Sequence, residues 1–280
     1  MPIARLDAIE LYYEETGQGT PLVWSHEFGG DHRSWEPQVR YLSRRYRVIT
    51  YNHRGYAPSS VPEGAGNYSQ DLLVADLHKL LVHLKLGPAH LGGCSMGANV
   101  ARDYAIAHPE MLRSLIMVGA GAGALGREKF LQAQGEIAAG LEREGIAARV
   151  KNFDNLPTRA SFKAKDPRGF AEFLRQSAEH DARACAHLAR EVMSKRKTVF
   201  EIEPGLRACT VPTLIMVGDL DAPCVEPSLA MRRFMPHAGL VVFPACGHTP
   251  NIEEPTLFNL HVDDFLACVE AGRWAGWSRS

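Results

Sequence analysis

A serine, a histidine and an aspartate stand in this chain where their side chains could act together on a carbonyl group. Ser95 lies within Gly93-Cys94-Ser95-Met96-Gly97, after the apolar run Ala89 to Leu91 and before a helical pattern that begins at Ala98. A strand that turns sharply into a helix needs residues without Cβ atoms close to the bend. Such a turn presents the serine oxygen at a helix N-terminus, where the free N–H of Met96 could hold a developing oxyanion. Alone, this spacing fits a tight turn as readily as a nucleophile. A weak hydroxyl nucleophile also needs a base, and the base needs an acid to orient it. His248 follows the apolar run Leu240 to Phe243 and the loop Pro244-Ala245-Cys246-Gly247. Asp219 and Asp221 stand at the exit of a second apolar run, Pro212 to Gly218.

The order Ser95, Asp221, His248 is that of the triad of α/β-hydrolases, and the chain resembles that superfamily in four further places. Ser25-His26-Glu27-Phe28-Gly29-Gly30, after strand-like Pro21 to Trp24, is similar to the family's oxyanion loop. Asn52-His53-Arg54-Gly55-Tyr56-Ala57-Pro58-Ser59 resembles its D-x-R-G-x-G-x-S turn, and Gly218-Asp219-Leu220-Asp221 its acid turn. Gly247-His248 followed by Glu253-Glu254-Pro255 resembles its histidine segment. The resemblance maps the acid onto Asp221 and the oxyanion donors onto the backbone N–H groups of Phe28 and Met96. The departures are Glu27 where a glycine is common, Cys94 before the nucleophile, Asn52 for the usual Asp and Ala57 for a glycine. Glu27 alone could alter the chemistry, because it adds a carboxylate beside an anion-stabilising site.

The elements that must position these residues alternate between strand and helix. Strand patterns run through Leu11 to Tyr13, Pro21 to Trp24, Tyr46 to Tyr51 and Leu115 to Val118. Helical patterns cover Trp35 to Arg44 and about Ser69 to Leu84, the latter with Leu72, Leu73, Val74, Leu77, Leu80, Leu81 and Leu84 at helical spacing. Such alternation implies an α/β fold, a mostly parallel sheet flanked by helices. Between Gly121 and Pro204 the pattern is helical only, with stretches at Gly126 to Arg149 and Pro167 to Met193. The resemblance therefore implies an α/β-hydrolase core over 1–120 and 206–280, with a helical cap inserted at 121–205.

Composition narrows the class further. The 280 residues carry 31 Lys and Arg against 32 Asp and Glu, a net charge of -1, so no global field recruits nucleic acid or an anionic membrane. The 45% hydrophobic and 22% charged content suits a globule with a sizeable core. The N-terminus lacks the apolar core of a signal peptide, and no run approaches the ~20 apolar residues of a spanning helix. The six cysteines lack metal-ligand spacing and read as reduced thiols of a cytoplasmic protein. The expected partner is a small-molecule substrate, with no metal or organic cofactor, and the oligomeric state stays open between monomer and homodimer.

The resemblance implies a serine hydrolase that cleaves a small carboxylic ester, lactone or thioester. Carbon–carbon bond hydrolysis of the meta-cleavage type, cofactor-free haloperoxidase or perhydrolase chemistry, and ligand reception by a retained triad are the alternatives. Several residues carry two readings. Cys94 is a structural thiol or a nucleophile, and Asp219 competes with Asp221 for the acid. His26 braces its loop or acts as a base, and Cys246 is expected to pack. Glu27 is expected to pair with a cation such as Arg33 or Arg54, or else to shape the pocket. The basic cluster Arg159, Lys163, Lys165 and Arg168 is a solvated helical face or an attractor of carboxylate-bearing substrates.

Overall fold

The computed structural model describes residues 2–274 of the chain. Eight strands form one sheet: β1 (Ile3–Leu6), β2 (Ile9–Thr16), β3 (Thr20–Ser25), β4 (Tyr46–Tyr51), β5 (Ala89–Cys94), β6 (Leu112–Val118), β7 (Thr213–Gly218) and β8 (Ala238–Phe243). Their order is β1-β2-β4-β3-β5-β6-β7-β8. β1 and β2 form a hairpin, β2 runs antiparallel to β4, and every later pairing is parallel. Central strands of such a sheet are covered on both faces, which suits their largely apolar sequence. β5 and β7 are buried at every position.

The flanking helices are α1 (Glu36–Leu42), α2 (Gln70–His83) and α3 (Met96–Ala107) on the N-terminal side of the insert. α2 begins where Ser69 caps it by accepting the Leu72 N–H at 3.1 Å, and it buries Leu73, Leu77, Leu80 and Leu81. Its Asp76 forms a buried two-pronged ion pair with Arg54, at 2.6 and 2.7 Å. That pair fixes the turn after β4 to the helix.

Between β6 and β7 the chain is helical throughout: α4 (Arg127–Glu144), α5 (Ile146–Asp154), α6 (Ala160–Lys165), α7 (Pro167–Ser177), α8 (Ala182–His187) and α9 (Glu203–Ala208). The two long helices expected here are each divided. Gly145 adopts φ 72°, a backbone that L side chains resist, and separates α4 from α5. Asp181 starts α8 afresh by capping the Ala184 N–H at 2.8 Å, and Leu188–Met193 continues it in the wider π form. After β7 come α10 (Ala222–Phe234), α11 (Pro250–Glu253) and α12 (Pro255–Glu270). No helix among the described residues is long and apolar enough to cross a membrane.

The elbow strand is pressed tightly against its neighbour. Trp24 of β3 stacks on Trp35 with ring centroids 4.3 Å apart, and a Cβ built on Gly92 of β5 would fall 2.0 Å from the Trp24 ring. Gly92→Ala is therefore expected to destabilise by about 1–3 kcal/mol, the scale of overpacking a closed core. Gly87→Ala, where a Cβ meets nothing within 4 Å, should stay within about 0.5 kcal/mol of wild type. Urea melts of the two variants compare them, and coincident midpoints would refute the steric account.

Candidate active site

Ser95 joins β5 to α3 at φ 53° and ψ -110°, a strained conformation for a residue with a Cβ. The surrounding contacts impose it. A Cβ on Gly93 would lie 2.4 Å from the Gly97 carbonyl oxygen, and one on Gly97 would lie 2.2 Å from the Ser25 carbonyl oxygen. Both glycines are thus required by close approach of backbone to backbone. The Ser95 N–H donates to the Val118 carbonyl at 2.8 Å, and the Ser95 carbonyl accepts from the Asn99 side chain at 2.7 Å. Met96 opens α3, so its N–H has no carbonyl partner within the helix.

His248 and Asp221 are brought together by the ends of two adjacent strands. β7 leads into the Asp219–Asp221 turn and β8 into the loop that carries His248, and the Leu220 N–H donates to the Cys246 carbonyl at 3.0 Å. Asp221 is buried, and its Oδ2 lies 2.7 Å from His248 Nδ1. An ionised carboxylate only accepts, so Nδ1 carries the proton and Nε2 is left as the basic nitrogen. Gly119, at φ 56°, lets the imidazole in: a Cβ there would stand 3.2 Å from the ring. Asp219 instead points to the exposed side of the turn, where its Oδ1 accepts the Cys246 N–H at 3.1 Å. Of the two aspartates, only Asp221 touches the histidine.

The loop after β3, the candidate oxyanion loop, is held by His26. The His53 N–H donates to His26 Nε2 at 3.1 Å, so Nδ1 bears the proton and donates to the Glu27 carbonyl at 2.7 Å. That carbonyl belongs to the same peptide plane as the Phe28 N–H, so the histidine fixes the direction of that N–H. The next carbonyl, of Phe28, accepts from Tyr56 Oη at 2.9 Å and from the buried Arg149 guanidinium. His26 therefore braces the loop and makes no contact that would let it serve as a base.

Glu27 pairs with Arg159, not with Arg33 or Arg54 as the sequence suggested. Arg33 is taken by Asp31 and Glu179, and Arg54 by Asp76. Burial alone would raise the Glu27 carboxyl, but Arg159 and then the nearby His248 hold it below the usual range. Arg159 belongs to the basic cluster that the sequence places on a helical face, yet it is itself buried. The others are exposed, with Lys163 on Asp154 and Lys165 on Glu254. Cys94 is buried, and burial first of all drives its thiol well above its ordinary range, which suits packing rather than attack. Cys246 is likewise buried.

A cavity of about 480 Å³ opens above these groups. Ser95, His248, Asp221, Glu27 and Phe28 line its floor, and Phe130, Ile137, Phe153, Leu156 and Met193 of the helical segment supply apolar walls. Donor atoms of Asp221, Cys224 and His248 fall within 4.8 Å of one another, a grouping that could hold a metal ion. The bonds already made occupy it: the His248 Nδ1–H donates to the Asp221 carboxylate, and the Cys224 thiol donates to the Gly119 carbonyl at 3.2 Å.

The sequence pattern that defines the alpha/beta hydrolase fold matches residues 20–255. The chain is similar to 3-oxoadipate enol-lactonase 2 of Acinetobacter baylyi, at 28% identity over 91% of this chain and 92% of that one. It is also similar to the 2-hydroxy-6-oxononadienedioate/2-hydroxy-6-oxononatrienedioate hydrolase of Paraburkholderia xenovorans, at 27% identity over 92% and 91% respectively. Among solved structures, a thermophilic esterase from Thermogutta terrifontis, with malate bound, superposes with a TM-score of 0.83. It is 29% identical over 93% of this chain and 94% of that one.

The brace under the oxyanion loop sets a pH dependence of stability. Burial pushes His26 down from 6.5 to about 4, and it pushes His53 and His90 down as well. The unfolded chain then takes up protons that the folded state refuses, so this stability is complete above pH 6.5 and is lost as pH falls toward about 4. His26 alone should cost about 2 kcal/mol between about pH 7 and about pH 5. Urea melts across that range should show the fall, with a shallower slope in His26→Asn. An equal slope would remove His26 from the account.

Proposed function

Because the chain belongs to the alpha/beta hydrolase fold family and is a hydrolase, we propose that it cleaves a small carboxylic ester, lactone or thioester through an acyl-enzyme on Ser95. The observation that carries this reading is the 2.7 Å contact of His248 Nδ1 with Asp221, beneath the same cavity that Ser95 lines. That contact leaves Nε2 of His248 free to take the Ser95 proton as the hydroxyl attacks a carbonyl carbon. The backbone N–H groups of Phe28 and Met96 receive the oxyanion. Asp221 holds the imidazole in the productive tautomer and stabilises its protonated form. His248 then passes the proton to the leaving group, which departs. Water attacks the acyl-enzyme with His248 again as base, and Ser95 is regenerated.

The apolar walls favour a substrate whose bulk is hydrocarbon, and the cavity volume keeps it small. The helical segment 121–205 acts as the cap over a core made of 1–120 and 206–280. α9, which spans the second boundary, packs on α3 and α10 and so anchors the cap's exit to the core. A reducing cytoplasm suits six cysteines that are all free.

A fluorophosphonate should label the protein stoichiometrically, and Ser95→Ala should abolish labelling while Cys94→Ala keeps it. Asp221→Asn should lower turnover of a short-chain p-nitrophenyl ester by about 10⁴, the scale of losing an orienting carboxylate, with a far smaller loss for Asp219→Asn. Labelling that survives in Ser95→Ala, or equal losses at the two aspartates, would reverse the assignment. A panel of esters, lactones and carbon–carbon-linked diketones identifies the scissile bond, the last arm being prompted by the similarity to the Paraburkholderia hydrolase.

A further inference from the structure

One short turn of the helical insert touches both halves of the candidate active site. Between α5 and α6 the segment Pro157–Arg159 forms a single 3-10 turn. The Thr158 carbonyl accepts the His248 N–H at 3.0 Å. The approach is at backbone level, since a Cβ on Gly247 would lie 2.2 Å from that same carbonyl oxygen. Arg159 then reaches both ways. Its Nη1 donates to Thr249 Oγ1, next to the base, at 2.9 Å, and its Nη2 donates to Glu27 Oε2, next to the oxyanion loop. The guanidinium is 2% exposed and lies 4.8 Å from the centroid of the Phe173 ring and 5.5 Å from that of Phe153. A fork in this position holds its geometry, because aromatic faces fix its plane and two acceptors fix its rotation.

Glu27 gives that contact a chemical consequence. Its carboxylate lines the cavity with Ser95 and His248, and its Oε1 is buried without a hydrogen-bond partner. An uncancelled negative charge there would oppose the oxyanion that forms beside Phe28. It would also favour the protonated form of His248, the form that cannot act as base. We propose that Arg159 is a positioning residue of the hydrolytic reaction: it cancels the Glu27 charge beside the oxyanion donors and clamps the oxyanion loop to the His248 loop. The insert therefore completes the active site and does not merely roof it. This inference rests on the serine-hydrolase reading above.

The groups that face His248 make the charge argument testable. Asp221 comes from the β7–α10 connection, Cys224 from the first turn of α10, Glu27 from the loop after β3 and Arg159 from the insert. Glu253 of α11 is held by the Gly247 N–H and by Lys165. Of these, the Glu27–Arg159 pair is the one whose halves can be neutralised separately or together without touching the triad.

The test is the rate at which a fluorophosphonate labels Ser95, measured against pH for wild type, Arg159→Met, Glu27→Gln and the double variant, with thermal melts as a check on folding. Arg159→Met should slow labelling about 100-fold, the scale of disabling an oxyanion donor. It should also move the acid limb of the pH profile up by about one unit, as a like-for-unlike charge change near an imidazole does. Glu27→Gln added to Arg159→Met should recover at least about tenfold of that rate and return the acid limb, because no charge is then stranded. If Arg159→Met does not fold, Arg159→Lys decides. It keeps the charge and loses the fork, so the acid limb should stay in place while the rate falls, and a shifted limb would overturn the proposal. A folded Arg159→Met that labels at the wild-type rate, or a double variant no faster than it, would overturn the proposal too. Failure of wild type to label at all would instead reject the serine-hydrolase reading.

Discussion

The backbone bend at Ser95 is the constraint around which the rest of this molecule is arranged. A residue with a Cβ is held at φ 53°, a conformation that costs on the order of 1–3 kcal/mol and persists only when its neighbours over-determine it. Here they do. Gly93 and Gly97, two positions away on either side, have no room for a Cβ, the strand behind the bend sits against the Trp24 ring, and the helix ahead of it abuts the Ser25 and His26 carbonyls. Relaxing the bend would require the centre of the sheet to move. The strain is therefore carried by the centre of the sheet, and a serine oxygen is left lining a cavity beside the N–H groups that open α3 without a carbonyl partner in the helix.

The chemistry around that oxygen is arranged by burying charges in pairs. A lone buried charge is far more costly than a matched one. Asp221 is met by His248, Asp76 by Arg54, Asp31 by Arg33 and His180, and Glu27 by Arg159. Apart from the local Asp31–Arg33 contact, each of these pairs joins separate segments of the chain, and together they determine where the loops at the strand ends lie. Neutral histidines do the finer work. His26, which burial keeps neutral, has one nitrogen available to accept and one to donate, and so it can order two peptides at once.

Much of this could be read from the residues alone, and the reason is local. Strands buried on both faces are mostly apolar, so β4, β5 and β7 stand out despite Arg47 and His90. The glycines around Ser95 are required by contacts that any chain making this turn must make. Asp221 was distinguishable from Asp219 through resemblance, and the geometry separates them because only the second carboxylate turns inward. The division of the long helices was harder to see. Apolar spacing runs on through Leu141 and Ile146, and one glycine between them is a weak signal against it. The partner of Glu27 had no local signature at all. Arg159 is 132 positions away, in a stretch rich in lysine and arginine whose other members do face water, so only the folded chain distinguishes it.

The place where the insert joins the core has an evolutionary consequence. It departs from the end of β6 and returns at the start of β7, and these two strands are immediate neighbours. Its two roots lie at opposite ends of adjoining parallel strands, and the sheet fixes their separation whatever lies between them. Lengthening such an excursion adds little entropic cost, since loop closure grows only with the logarithm of length. Descendants of this chain can thus gain, lose or reshape cavity walls there without disturbing the sheet, and new substrates can be reached by insertion and deletion. One short turn is exempt from that freedom. Whatever shape the insert takes, it must still return a cation to the carboxylate at position 27, or give up both together.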